Sequence, residues 1–152
     1  SRRSASFKAP SLSNEIKAFK LFLVDVGLLG CMVGINERVL LEGNSLFVEF
    51  KGALTEQYVL QQLVTKKDLG IYYYTNDRGN CEIDFLVDNG NTVVPVEVKA
   101  EENLKAKSLK TYYEKYVPET AVRMSMSDFR QQDWLVNLPL YAAEEIEGVI
   151  TR

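Results

Sequence analysis

The chain has no histidine among its 152 residues. That absence excludes a Ser–His or Cys–His nucleophile pair, a His-ligated zinc centre and an imidazole acting as general base. Cysteine is nearly as scarce. Cys31 and Cys81 stand too far apart for a metal-spaced pair and are too few for a disulfide framework, so they read as two reduced thiols. Long apolar runs are missing as well. The stretch from Leu21 to Ile35 is broken by Asp25 and three glycines, and it is too short to cross a bilayer. No charged segment leads into an apolar one at the start, so no secretory leader is read there. The expectation is a cytoplasmic protein with no membrane partner. Net positive charge is the last absence. With 18 Lys+Arg against 21 Asp+Glu, the balance is −3, unlike a general nucleic-acid coat. Any contact with DNA or RNA would need a local basic patch or bound cations.

What remains is ordinary globular material, 46% apolar and 26% charged, long enough to bury one core. Chemistry is left to carboxylates, lysines, hydroxyls and the two thiols. Residues 1–13 are rich in serine and basic side chains and read as a linker or disordered remnant. Residues 14–152 read as a single α/β domain, in a chain expected to be a piece of a longer protein.

Hydrophobic spacing sketches that domain. Lys20 to Asp25 is consistent with a buried strand or the start of a helix, and residues 27–34 suggest close packing around glycines. From about Leu46 to Thr65, Leu46, Phe50, Ala53, Leu54, Leu60, Leu63 and Val64 recur at helical spacing, with Asn44 or Ser45 as cap. Strands are predicted at 71–75, 81–87 and 92–99, the last two joined through Asp88-Asn-Gly-Asn91, a hairpin signal. A second helix over 104–116 aligns Leu109, Tyr112, Tyr113 and Tyr116 and stops before Pro118. Residues 121–126 read as a further strand. From Trp134 through Leu138-Pro-Leu-Tyr-Ala-Ala143 the pattern suggests a loop followed by a short helix. The sum is a mixed central sheet containing a hairpin, flanked by helices.

Several polar residues stand where that pattern calls for apolar ones. Glu56 falls on the apolar stripe of the first helix, where it is either a carboxylate reaching out at the stripe's edge or one that is paired, protonated or bound to a metal. In Glu82-Ile-Asp84-Phe-Leu-Val87, alternation separates Glu82 and Asp84 from Ile83, Phe85 and Val87. A hairpin turning at Asn89-Gly90 pairs Asp84 with Pro95 and Glu82 with Glu97, so Asp84, Glu97 and Lys99 share one face. Pro95 cannot donate to a ladder, which predicts a bulge or local separation beside Asp84. The same face could equally be a solvated charged surface, as antiparallel sheets often have. Glu-x-Lys alone is weak: it also occurs at Glu15–Lys17 and Glu49–Lys51. Only Glu97-Val-Lys99 lies on a strand, where i and i+2 point the same way.

These residues resemble the PD-(D/E)XK nuclease superfamily, whose core is a helix with a Glu, a hairpin with Asp and (Glu/Gln)-x-Lys, then a helix and a strand. Here the positions are Glu56, Asp84, Glu97 and Lys99; Ile83 replaces the proline of the name. More narrowly, Lys20-Leu-Phe-Leu-Val-Asp-Val-Gly-Leu-Leu29, Leu54-Thr-Glu-Gln-Tyr-Val59, Glu82-Ile-Asp-Phe-Leu-Val87, Pro95-Val-Glu-Val-Lys99 and Leu138-Pro-Leu-Tyr141 are similar to a domain of unknown function found C-terminal to AAA-type ATPase modules in bacteria and archaea.

The resemblance implies a restriction-endonuclease-like α/β core and a divalent-metal-dependent nucleic-acid phosphodiesterase, with DNA ahead of RNA as substrate. It implies Mg²⁺ or Mn²⁺ on Asp84, Glu97, Glu56 and the Val98 carbonyl, with Lys99 as the catalytic ammonium. It implies an AAA-type ATPase module in the same full-length chain, although no Gly-x-x-x-x-Gly-Lys-[Ser/Thr] loop occurs here. The alternative is a catalytically silent module with the same fold, used for nucleic-acid docking, ATPase regulation or homo-oligomerisation. A plain structural domain remains if the charged face is open to water. Lys105, Lys107 and Lys110 form either a solvated helix face or a track for phosphates. Arg78 and Tyr72 to Tyr74 are either structural or contacts to nucleic acid.

Overall fold

Residues Ser45–Leu63 form the longest helix among the described residues, α2, and its buried side packs on the sheet. The computed structural model describes residues 20–36, 45–76, 79–100 and 105–150, with backbone only for 45–49. The expected linker at 1–13, the Asn44 or Ser45 cap, Leu46 of the stripe and Arg78 lie outside the described residues or side chains. Within α2, Val59 and Leu63 are fully buried and Gln57 is buried with them, whereas Ala53 and Val64 are exposed. The helix therefore faces the core along a line slightly rotated from the predicted stripe, and Glu56 lies beside that line.

Helix α1 (Val26–Met32) precedes α2. Asp25 caps it, its Oδ1 accepting the Leu28 N–H at 2.9 Å. Residues 20–25 are not a buried strand: Leu21 and Val24 are exposed, and only Phe22 packs inward, against Phe85. Their backbone finds its partners in side-chain amides of α2 instead of a strand ladder.

Six strands follow: β1 (Gly70–Thr75), β2 (Glu82–Asp88), β3 (Val93–Lys99), β4 (Ala121–Ser125), β5 (Arg130–Gln131) and β6 (Leu135–Pro139), with helix α3 (Lys107–Tyr116) between β3 and β4. They form one mixed sheet in the order β1-β2-β3-β4-β6-β5. The β1–β2, β2–β3 and β5–β6 pairs are antiparallel, while β3–β4 and β4–β6 are parallel. A 3₁₀ turn (Leu140–Glu145) and helix α4 (Ile146–Ile150) end the described chain. The α/β class with helices around a mixed sheet is thus as expected.

Strand β6 corrects the sequence reading of a loop after Trp134. All five of its residues are buried in the parallel part of the sheet. Asn137 in its middle and Pro139 at its end break the apolar pattern. A short buried parallel strand also lacks the alternation that would announce it.

The sheet is covered on both faces. On one side Val59 and Leu63 of α2 pack with Phe85, Val87, Val94, Val96, Val98, Val122 and Met124. On the other, Leu109 and Tyr112 of α3 meet Ile83, Leu86, Ala121 and Leu135. Tyr74 belongs to this second layer, stacking edge-on with Tyr112 and Tyr116 and sharing a 3.1 Å hydroxyl contact with Tyr116. Lys105, Lys107 and Lys110 lie exposed, away from the tyrosine stripe.

The β2–β3 hairpin differs from the predicted two-residue turn. Asp88 faces Val93 across a four-residue loop, and Leu86 faces Pro95. Asn89 explains the longer loop: its side-chain oxygen takes the N–H groups of Asn91 and Thr92, and its own N–H bonds the Thr92 carbonyl. Gly90 sits at φ 84°, a conformation that glycine adopts at little cost. The register moves by two residues, so every predicted pairing changes, including Asp84 with Pro95 and Glu82 with Glu97, while Val94, Val96 and Val98 keep their shared face.

Candidate metal centre

The hairpin parts where the chemistry-bearing residues lie. Paired residues run from Asp88 with Val93 to Phe85 with Val96, and the ladder stops there. On the other edge of β2, Tyr72 faces Leu86 and Tyr74 faces Ile83, so Asp84 and Phe85 together oppose Tyr73. This is a bulge in β2 on its β1 side, not the irregularity expected opposite Pro95, which pairs with Leu86. It sends Ile83 and Leu86 to the same layer under α3, and Phe85 to the layer under α2.

Freed from the ladder, Asp84 uses its side chain as a strand would use its backbone. Its Oδ2 accepts the Val98 N–H at 2.7 Å. Its Oδ1 faces Lys20 Nζ at 3.5 Å. Glu56 reaches the same ammonium from α2 at 3.1 Å, and Glu82 reaches it from β2 at 2.8 Å. The Lys20 side chain also lies over the Tyr73 ring, 5.0 Å from its centroid. Three carboxylates thus surround one lysine.

Lys20 is held there by a second pair of residues. Gln57 clamps the Leu23 backbone, its Oε1 accepting the N–H at 2.8 Å and its Nε2 donating to the carbonyl at 2.7 Å. One turn later Gln61 accepts the Val26 N–H at 2.8 Å and donates to Asp25 at 3.1 Å. Two glutamines four apart on one helix face therefore dock the segment that delivers the ammonium.

Glu97 and Lys99 enter from β3. Lys99 Nζ lies 2.6 Å from Glu97 Oε1. Glu97 is buried, and its other oxygen, Oε2, has no hydrogen-bond partner. In β4, Arg123 is opposite Glu97 in the parallel register. It donates to Asn137 of β6, which also accepts from Ser125.

The electrostatics follow from burial. Loss of water holds the Glu56, Asp84 and Glu97 carboxyls above their ordinary range. The Asp84 charge raises Glu56 further and adds to the rise at Glu97, while Lys20 and Lys99 pull the other way. Burial works against the Lys20 ammonium, but its bond to Glu82 and the charges of Glu56 and Asp84 outweigh this and raise its pKa.

Of the four predicted side chains, Glu56 and Asp84 meet at Lys20, while Glu97 and Lys99 pair with each other on β3, the strand Asp84 bonds through Val98. Asp84 is turned toward α2 by the bulge, and Glu97 and Lys99 approach from β3. Among the described residues no set of three or more Asp, Glu, His or Cys side chains forms a ready-made metal cage. A cavity of about 280 Å³ lined by Thr92, Val94, Val136 and Ile150 includes none of these residues. Sequence reasoning missed Lys20, Gln57 and Gln61, whose partners lie 34 to 64 residues away. It also assigned no role to Glu82, although period-two alternation put it on the correct strand face.

The donor set still suits a hard divalent cation. Carboxylates with a neighbouring backbone carbonyl are the ligands such ions prefer. The Glu97 Oε2 atom is a buried acceptor that lacks a donor, and a cation would satisfy it. In an antiparallel ladder a residue's N–H and C=O turn to the same neighbour, so the Val98 carbonyl faces the gap that its N–H faces.

No curated protein and no solved structure matches the chain. Residues 51–142, more than half of the sequence, match the family described as a domain of unknown function, DUF4143. That span contains Glu56, Asp84, Glu97 and Lys99, while Lys20 lies before it. The chain belongs to the DUF4143 family.

Proposed function

We propose that this domain is a divalent-metal-dependent nucleic-acid phosphodiesterase of the PD-(D/E)XK type, with DNA ahead of RNA as substrate, accessory to an AAA-type ATPase module of the same full-length chain. The observation that carries this reading is Glu97 Oε2, a buried carboxylate oxygen with no donor. Leaving such a group bare costs about 1–3 kcal/mol, and a cation would remove that cost. Asp84, Glu97 and the Val98 carbonyl would hold Mg²⁺ or Mn²⁺, with Glu56 reaching the ion or a water upon it. The bound ion would activate water and offset phosphate charge. Lys99, fixed by Glu97 at 2.6 Å, would orient the attacking water or hydrogen-bond a phosphate oxygen as negative charge develops. Glu97 therefore has two duties, one oxygen for Lys99 and one for the ion. The exposed lysines of α3 would follow the substrate backbone.

One observation favours the second reading, a silent module for nucleic-acid docking, ATPase regulation or homo-oligomerisation. The Lys20 ammonium already neutralises part of the cluster. Two measurements separate the readings. Mn²⁺ should raise the melting temperature of the wild-type chain, and Asp84→Asn should abolish the rise; an unchanged rise rejects the metal assignment. Cleavage of a panel of plasmid, linear duplex and single-stranded DNA and RNA should require Mg²⁺ or Mn²⁺ and vanish in Lys99→Ala. Metal binding without cleavage on any substrate supports the silent module.

A further inference from the structure

Lys20 stands within the acidic cluster as an ion would. Its Nζ is 2.8 Å from Glu82, 3.1 Å from Glu56 and 3.5 Å from Asp84, and most of the side chain is shielded from water. The approach is not left to a free surface lysine, because Gln57 and Gln61 fix the backbone just downstream by three bonds at 2.7–2.8 Å. Asp84 is the shared member of two groups. Its Oδ1 belongs with Glu56, Glu82 and Lys20, and its Oδ2 lies at Val98 on the β3 side. The β3 side also holds Glu97, whose buried Oε2 has no partner. One ammonium therefore sits among Glu56, Glu82 and Asp84, and one unpartnered carboxylate oxygen, Glu97 Oε2, lies on β3, the strand that Asp84 also bonds.

The charges around the two groups are mixed: Glu56, Glu82 and Asp84 face Lys20, while Glu97 faces Lys99 and the buried Arg123 of β4. Two-metal sites hold their ions about 4 Å apart, and Asp84, whose two oxygens face Lys20 and Val98, would be the carboxylate common to both positions.

We infer that Lys20 is a resident cation occupying the second ion position, so that the site takes one divalent ion where the same carboxylates without Lys20 would take two. The inference rests on the metal reading above only for the first ion; the Lys20 position is argued from its own contacts. Unlike a bound ion, this charge cannot be removed by a chelator or exchanged with solvent.

The test is a calorimetric Mn²⁺ titration of the full chain. Wild type is expected to bind one equivalent and Lys20→Met two. Lys20→Met/Glu56→Gln should lose the added equivalent, and Lys20→Arg, which keeps the charge, should bind one. An unchanged count in Lys20→Met overturns the inference, as does a second equivalent in wild type or in Lys20→Arg. The first ion is judged separately by Glu97→Gln: if the wild-type equivalent is absent or survives that change, the metal reading fails, while the gain of one on losing Lys20 still reports on the inference. A melting curve guards against misfolding. Without metal, Lys20→Met should melt below wild type, because three carboxylates lose their counter-charge, and excess Mn²⁺ should restore it. A loss that Mn²⁺ does not restore assigns Lys20 a packing role and overturns the inference.

Discussion

Replacing Glu97 with Gln should make the metal-free protein more stable and the metal-loaded protein less so. The magnitude follows from the two oxygens of Glu97. Oε2 is buried without a donor; the amide still leaves a polar atom there but removes its negative charge, which relieves about 1–3 kcal/mol. Oε1 pairs with Lys99, whose side chain is 30% exposed, so losing that pair costs about 0–1 kcal/mol. The freed lysine reaches water rather than remaining a buried charge. The net gain is about 1 kcal/mol, or roughly 2–4 °C in melting temperature for a chain of this size. Mn²⁺ reverses the order. At one hundred times its Kd an ion stabilises the protein that binds it by about 2.7 kcal/mol, a rise of roughly 5–11 °C that Glu97→Gln should not show. The assay is a pair of thermal melts for each protein, one in EDTA and one in excess Mn²⁺. A variant that melts below wild type in EDTA would refute the assignment of Oε2 as an uncompensated group. A variant that gains as much from Mn²⁺ as wild type would refute Glu97 as a ligand.

The pH dependence of that difference has a definite sign. Burial raises the Glu97 carboxyl above the ordinary value of 4.5, so between the two values the unfolded chain has released its proton while the folded one retains it. Wild type loses stability as pH rises through that window, whereas the amide introduced by Glu97→Gln cannot titrate. In metal-free urea melts the variant should therefore gain on wild type from about pH 4.5 upward, by at most about 1.4 kcal/mol per pH unit, and then level off. A difference that is flat or shrinks with pH contradicts the burial argument. Gln57→Leu should remove both bonds to the Leu23 backbone at a cost of about 2 kcal/mol, roughly 4–8 °C. Hydrogen exchange should show the Leu23 amide losing its protection, and a protected amide at an unchanged melting temperature would contradict the clamp.

The parts of this fold that were legible in the sequence are those that rest on local pattern. Helix α3 follows from Leu109, Tyr112, Tyr113 and Tyr116 and from the stop at Pro118, although its first turn starts three residues late. The shared face of Val94, Val96 and Val98 in β3 follows from alternation, whereas in β2 the bulge opposite Tyr73 breaks it and moves Ile83 to the layer of Leu86; Pro95, which pairs with Leu86, is not its cause. What failed needed distant partners. Strand β6 is stabilised by β4 on one side and β5 on the other, and nothing local marks Leu135–Pro139 as extended. The hairpin register turned on the Asn89 side chain, which bonds two N–H groups and makes four loop residues cheaper than two. Glu56 was visible as a carboxylate on an apolar stripe. Lys20 was not, because a lysine before an apolar run has no periodic signature and meets its acids only after α2 and β2 are in place.

The order of contacts along the first described residues carries a mechanical consequence. Lys20 lies upstream of the glutamine clamps, with Leu23 three residues further on, a span of about 10 Å when extended. Tension entering from residues 1–19 would meet the ion contacts of Lys20 before it met the bonds at Leu23 and Val26. The ammonium would lift out while α1 and α2 stayed docked, leaving Glu56, Glu82 and Asp84 without their counter-charge in an otherwise intact fold. A tug on the leading chain would thereby be converted into a change of charge at the acidic cluster.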